Sequence, residues 1–304
     1  MPGLETCEGG VRGSPLMDGR AAKERLPARA RSAEGRDPDF LIIGAAKAGT
    51  TSLFRWLSSV DGVDMARQKE LHFFCGDNWK RGLEWYRTWF PPSGRLTGEA
   101  TPDYTDPMIA ELAASRIHDV YPDISLIFIA RDPIARTRSH YRHQVQRGRE
   151  RSPFSVAADP NSLYVVTSLY SRVLSPYLDR FSPSQLLILR FDHLTDAAGS
   201  GWDSVQSFLQ LPHHPRPGDV YNESALKRQF SRPLLWLWDA GLLPRAESFP
   251  RWMRKLGKTV LTSDSSGYRQ LMESSHDDLP EPSRARLSDD RRRLADLLGR
   301  DIWA

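Results

Sequence analysis

Phe40-Leu41-Ile42-Ile43-Gly44-Ala45-Ala46-Lys47-Ala48-Gly49-Thr50-Thr51-Ser52 is the stretch that decides the fold. A short apolar run closed by Gly44 reads as a buried strand. Residues 44–49 follow as a loop of small residues around one Lys. Thr50-Thr51-Ser52 then opens a helix, with Leu53, Trp56, Leu57 and Val60 at helical spacing. Such a loop exposes successive backbone N–H groups, and a helix N-terminus adds partial positive charge. Small side chains let an anion approach the backbone. Lys47 adds a mobile point charge. The ATPase loop G-x-x-x-x-G-K-[ST] has its Lys directly after the second Gly, whereas here Lys47 precedes Gly49. The stretch is therefore not the ATPase pattern. It reads either as an anion site or as an ordinary strand-to-helix turn whose Thr and Ser cap a helix.

The same alternation continues along the chain. A helix is expected from about Met108 to Val120, with Ile109, Leu112, Ile117 and Val120 on one side. Ile124 to Ala130 reads as a second buried strand, with a helix from Ile134 onward. Further elements are a helix over Leu169 to Phe181, a strand over Gln185 to Phe191, and a helix over Trp202 to Leu209. A last helix spans about Ser283 to Leu298, with Leu287, Leu294 and Leu298 facing in. Strands alternating with helices predict an α/β fold: a P-loop-like parallel sheet with helices on both faces. Residues 39–304 read as one domain behind a polar, nearly neutral leader, 1–38, expected to be disordered. Residues 212–282 are rich in Pro and Arg, with helical pieces around Leu234 to Trp238 and Trp252 to Leu256. They are expected to form a helical cap that shapes an acceptor pocket.

Composition removes several classes of function. Apolar residues make up 39% of the 304, enough for a sizeable core. No run approaches a membrane span, and the start has no apolar signal region, so a cytoplasmic protein with no membrane partner is expected. The two cysteines, Cys7 and Cys75, form neither a disulfide framework nor a zinc site. No histidine shows metal-ligand spacing, so no metal is expected. The net charge is only +4, and basic runs are interleaved with acids, so a nucleic-acid surface is not expected. Of the 42 basic residues only 7 are Lys, the bias of a GC-rich, bacterial coding sequence.

Arg131-Asp132-Pro133 stands at the C-terminal end of a buried strand, where open α/β sheets bind ligands. Ser139 lies about two helical turns on. Arg by its fork and Ser by its hydroxyl are placed to grip a second phosphate. Read alone, the same triplet is equally a helix start.

With these residues in view, the chain resembles the sulfotransferases that use 3′-phosphoadenosine 5′-phosphosulfate (PAPS), in the branch of the heparan-sulfate enzymes and their bacterial relatives. Lys47-Ala48-Gly49-Thr50-Thr51-Ser52 is similar to the family's 5′-phosphosulfate loop. Arg131-Asp132-Pro133 with Arg136, Ser139 and Tyr141 is similar to its 3′-phosphate motif. Lys69-Glu70-Leu71-His72-Phe73-Phe74 resembles the E-x-H-F-F segment, and Gly98 to Tyr104 resembles the E-K-T-P-x-Y block. Asp192-His193-Leu194 resembles the E-D-L turn, and Leu297-Leu298-Gly299 with Trp303 the C-terminus. Ala100 stands where the heparan-sulfate enzymes tend to have Lys, and Cys75 where some have Asp. Gly267-Tyr268-Arg269 is the nearest counterpart of the K-G-R phosphate loop, which makes Arg269 a further candidate.

The resemblance implies in-line transfer of a sulfuryl group from PAPS to a hydroxyl, or less readily an amine, leaving PAP. The acceptor is expected to be a small-molecule natural product of secondary metabolism or a glycan. Lys47 and the loop amides would stabilise charge on the leaving phosphate. Glu70 is the implied general base, with His72 as an orienting group or an alternative base. Without the resemblance, Glu70 reads as a surface carboxylate paired with Lys69 or Arg67, and Phe73-Phe74 as core. Glu99, Asp103 and Tyr104 are candidate acceptor contacts. A P-loop-type nucleotide kinase and an inactive nucleotide-binding homologue are the alternatives.

Overall fold

The computed structural model describes residues 35–92, 95–196, 198–218 and 266–304. The leader up to residue 34, Cys7 and the two helical pieces expected between 234 and 256 lie outside the described residues.

The chain begins with β1 (Phe40–Gly44), α1 (Thr50–Ser58) and β2 (Val63–Met65). It continues through α2 (Gly82–Arg87), β3 (Leu96–Ala100), α3 (Ala110–Val120), β4 (Ser125–Ala130) and α4 (Pro133–Gln146). Short helices α5 (Phe154–Ala157) and α6 (Leu163–Val166) lead to α7 (Tyr170–Leu178), β5 (Leu186–Arg190), α8 (Phe191–Thr195) and α9 (Ser200–Phe208). The described part closes with α10 (Ser266–Ser274) and α11 (Glu281–Leu298).

The five strands form one parallel sheet in the order β2-β3-β1-β4-β5, flanked by helices. All five residues of β1 are buried. That follows from its central place: a parallel strand covered on both faces must be apolar throughout. The chain runs from β1 outward to β2 and β3 on one side, and to β4 and β5 on the other. The strand order therefore reverses beside β1, and the crevice at the strands' C-terminal ends lies there. Leu53, Trp56 and Leu57 of α1 are buried, each worth about 1.5–3 kcal/mol for the apolar surface removed from water. Trp56 meets Trp202 of α9 edge to face, with centroids 6.0 Å apart. Among the described residues no helix is long and apolar enough to cross a membrane.

Three expectations are corrected. The sequence offers three strands and the described residues hold five. β2 has only three residues, and β3 hides behind a polar sequence. Thr97 of β3 is buried because its amide donates to Asp39 Oδ2 at 2.7 Å and its hydroxyl to the Asp37 carbonyl at 3.1 Å. Glu99 is buried by a hydroxyl network described below. The α3 stripe is also rotated: Ala110, Ala113, Ala114 and Ile117 face in and Leu112 is exposed. Finally, Gly267-Tyr268-Arg269 belongs to helix α10 and not to a phosphate loop.

Gly98 shows how tightly the sheet is covered. A Cβ there would lie 2.3 Å from the Phe40 ring of the neighbouring strand, so only glycine fits.

Candidate active site

The loop after β1 is shaped by two left-handed residues, Lys47 at φ 69° and Gly49 at φ 92°. The Ala48 amide closes a turn on the Ala45 carbonyl at 3.1 Å, and the first bond of α1 runs from the Leu53 amide to Gly49 at 3.1 Å. The first-turn amides of a helix have no intrahelical carbonyl to reach. At Gly49 a side chain would be strained by φ and would also press on the Phe191 ring, 3.0 Å away.

Two arginines from α4 and its approach take the carbonyls of this loop. Arg131 Nη1 donates to Lys47 O at 3.1 Å, and Arg136 Nε donates to Ala46 O at 3.0 Å. Arg136 is fully enclosed. Its Nη1 also donates to the Tyr164 carbonyl, the Thr167 hydroxyl and the Ser168 hydroxyl. Burial pulls its pKa down to about 10, still a charged guanidinium at neutral pH. Arg131 is half-buried, its guanidinium 4.8 Å from the Phe191 ring centroid, and burial likewise lowers its pKa. Asp132 caps α4 by accepting from the Ala135 amide at 2.8 Å, with Pro133 at the first helical position. The Arg131-Asp132-Pro133 triplet is thus a helix start that also delivers Arg131 to the strand edge.

These elements enclose a cavity of about 350 Å³ at the C-terminal edge of the sheet. Lys47, Gly49, Thr50, Thr51 and Ser52 line it from the loop and α1, and Arg131 and Ser139 from the β4–α4 side. Glu70 and Asp103 also line it. Sequence reasoning did not single out Lys69 as a cavity residue, nor His140, His143, Gln144, Arg147 and Phe191, yet all of them line it. The available signal was helical spacing: His143, Gln144 and Arg147 fall one to two turns beyond Ser139 on α4. Lys47, Lys69, Arg131 and Arg147 face two carboxylates, so the cavity favours a ligand with several negative charges. His140 adds no charge. Burial, with the positive charges of Arg136, His143 and Lys47, pulls its pKa down to about 3.

Glu70 forms an ion pair with Lys69 while lining the cavity, so the surface-pair reading and the site reading both describe it. Its backbone is left-handed, φ 63°, as is that of His72, φ 49°. Such a conformation costs a non-glycine residue about 1–3 kcal/mol and persists only where surroundings impose it. His72 stands off the cavity wall, its Nδ1 3.5 Å from Asp103 Oδ2 and 3.8 Å from Cys75 Sγ. Burial raises the pKa of Asp103, opposed by His72. Burial, reinforced by Asp103 and Glu99, pushes the Cys75 thiol up to about 12, so it stays protonated.

The remaining candidates are displaced from the cavity. Ala48 is buried beneath the loop. Glu99 and Tyr104, expected as acceptor contacts, are both 0% exposed and cannot touch an acceptor. Glu99 accepts from the hydroxyls of Tyr86 at 2.9 Å, of Thr101 at 3.1 Å and of Tyr104. Burial pushes its carboxyl up to about 7, and the donors from Tyr104, Tyr86 and Thr101 offset only part of that. Arg269 is exposed on α10 and lines no part of the cavity. Among the described residues no group of three His, Cys, Asp or Glu is placed to hold a metal ion.

A family model for the sulfotransferase domain matches residues 37–229. Human heparan sulfate glucosamine 3-O-sulfotransferase 5 is 33% identical over 210 residues, covering 64% of this chain and 59% of that protein. Mouse bifunctional heparan sulfate N-deacetylase/N-sulfotransferase 3 is 32% identical over 201 residues, covering 59% of this chain and 23% of that protein. The chain thus spans well under two thirds of the length of these relatives. Among solved structures, a sulfotransferase from Alicyclobacillus acidocaldarius superposes with a TM-score of 0.60 at 23% identity, covering 88% of this chain and 98% of that one. That likeness is one of fold.

Proposed function

Because the chain belongs to the sulfotransferase family, we propose that it moves a sulfuryl group from PAPS to a hydroxyl of a small-molecule natural product or a glycan. One observation carries this reading. A single cavity is lined by the Lys47–Ser52 loop, the Arg131–Ser139 pair and Glu70. A phosphate cradle, a second cationic grip and a carboxylate are what a doubly phosphorylated donor and an acceptor hydroxyl require.

PAPS supplies the activated sulfuryl group and leaves as PAP. The residues present fit it by charge and by donor set. Thr50, Thr51, Ser52 and the first-turn amides of α1 would bind the 5′-phosphosulfate, and Arg131 with Ser139 the 3′-phosphate. Lys47 would neutralise negative charge gathering on the 5′-phosphate oxygen as the sulfur–oxygen bond breaks. Glu70 would take the acceptor proton as the new oxygen–sulfur bond forms, assistance worth ~10² to 10⁴ in rate. Glu70 is favoured over His72 as base because Glu70 is on the cavity wall and His72 is not. Holding donor and acceptor in line supplies much of the remaining acceleration.

Isothermal calorimetry tests the reading. Adenosine 3′,5′-bisphosphate is expected to bind tightly without Mg²⁺. Binding of Mg-ATP alone would sink the proposal in favour of a nucleotide kinase.

A further inference from the structure

Two amides in the segment bearing Glu70 and His72 are tied to residues at the end of β3. The Glu70 amide donates to the Ala100 carbonyl at 3.0 Å. The His72 amide donates to Thr101 Oγ1 at 3.4 Å. Thr101 in turn donates its hydroxyl to Glu99 Oε2 at 3.1 Å. Glu99 therefore holds the Thr101 hydroxyl that receives the His72 amide. The other side of the segment is locked by packing. Phe73 and Phe74 are fully buried, and Phe73 stacks on Tyr86 with centroids 4.3 Å apart. Tyr86 is also a donor to Glu99, so the same carboxylate joins both anchors.

We propose that Glu99 is a positioning residue for the reaction. Its buried carboxylate holds the segment that carries the left-handed residues Glu70 and His72 and so aims the Glu70 side chain into the cavity. Glu99 meets neither donor nor acceptor, being enclosed by Tyr86, Tyr104 and Thr101. The geometric part of this inference stands on the hydrogen bonds alone; its consequence for turnover rests on the proposed sulfotransferase activity.

The test compares the full-length wild type with Glu99→Ala, Glu99→Gln and Thr101→Val, each bound to adenosine 3′,5′-bisphosphate. Amide hydrogen exchange of residues 69–73 is expected to quicken at least ~10-fold in E99A and by less in T101V, since E99A releases both Thr101 and Tyr86 from their shared anchor whereas T101V removes only the acceptor of the His72 amide. Nucleotide affinity should stay within about threefold, because the loop and Arg131 are untouched. With PAPS as donor and heparan sulfate as the acceptor probe, kcat should fall ~10²-fold in E99A with KM for PAPS unchanged, the penalty for a misplaced catalytic group. E99Q, which keeps one acceptor oxygen, should recover part of that loss. Wild-type protection of the segment in a folded E99A protein overturns the proposal. Should E99A fail to fold, T101V decides: unchanged exchange at His72 overturns it equally. A wild type that binds no nucleotide would instead overturn the proposed function, and the exchange comparison would still decide whether Glu99 holds the segment.

Discussion

Arg136 Nε donates to the Ala46 carbonyl at 3.0 Å, joining residues 90 positions apart in the chain. This bond makes the phosphate-type loop and helix α4 one unit. Arg131 adds a parallel tie to Lys47 O. With the loop's carbonyls taken by guanidiniums, its shape is set before any ligand arrives, which lowers the cost of ordering it on binding.

Replacing Arg136 tests that tie. Arg136→Ala strips a donor from the Ala46 and Tyr164 carbonyls and two hydroxyls, and leaves a void. A loss of about 3 kcal/mol in stability is expected. Arg136→Lys should restore little of it, because a compact ammonium cannot span both sets of acceptors. Chemical denaturation of the two variants measures this; a lysine variant as stable as the wild type would contradict the bracing role.

Arg131→Ala and Glu70→Gln should fail in opposite ways. Removing Arg131 deletes one charge-assisted grip, so the affinity for adenosine 3′,5′-bisphosphate should drop roughly 10- to 100-fold. Glu70→Gln should leave that affinity within about threefold while lowering kcat by ~10² to 10⁴. Calorimetry and turnover on the same two proteins give the comparison. Unchanged turnover in E70Q would remove Glu70 from its assigned role.

Glu99 should leave a mark on the pH dependence of stability. Its carboxyl is raised from 4.5 to about 7 in the folded protein. Between those values the folded state keeps a proton that the unfolded state has released. The contribution is fully present below about pH 4.5 and is lost as pH rises through about 7, on the order of 3 kcal/mol in all. Denaturation midpoints of wild type and E99Q between pH 4.5 and 8 are expected to show a flatter profile for E99Q. Parallel profiles would mean that Glu99 titrates normally.

Gly98→Ala should be costly despite adding one methyl group. The new Cβ would lie 2.3 Å from the Phe40 ring, so β1 and β3 must separate or the ring must move. Overpacking of this kind costs about 1–3 kcal/mol. Pairing G98A with Phe40→Leu should recover part of the loss, since the smaller side chain gives way. Thermal denaturation of the single and double variants reads the coupling.

The elements that the sequence revealed share one property: their residues interact locally or are uniformly apolar. β1, β4 and β5 announce themselves as apolar runs because a parallel strand is buried on both faces. α1 and α11 show their stripes at helical spacing. The phosphate-type loop and the Arg131–Ser139 pair are short-range patterns with a fixed offset. β3 was missed because Thr97, Gly98 and Glu99 look like a loop until partners distant in sequence, Asp37, Asp39, Phe40 and Tyr86, are brought beside them. His140, His143 and Arg147 were missed because a histidine or arginine on a polar helix face carries no mark of what that face will meet.

The sequence by itself determined the α/β class and the two local patterns, the Lys47–Ser52 loop and the Arg131–Ser139 pair, since each depends on neighbours within about two helical turns; the folded chain brought the two patterns to one cavity. Tertiary structure decided which carboxylates face solvent and which are buried. It left Glu70 and Asp103 on the cavity wall and sealed Glu99 behind three hydroxyls. All three are acids, alike in type. Desolvation and hydrogen-bond partners separate their roles, and those are set by the folded chain around each carboxylate.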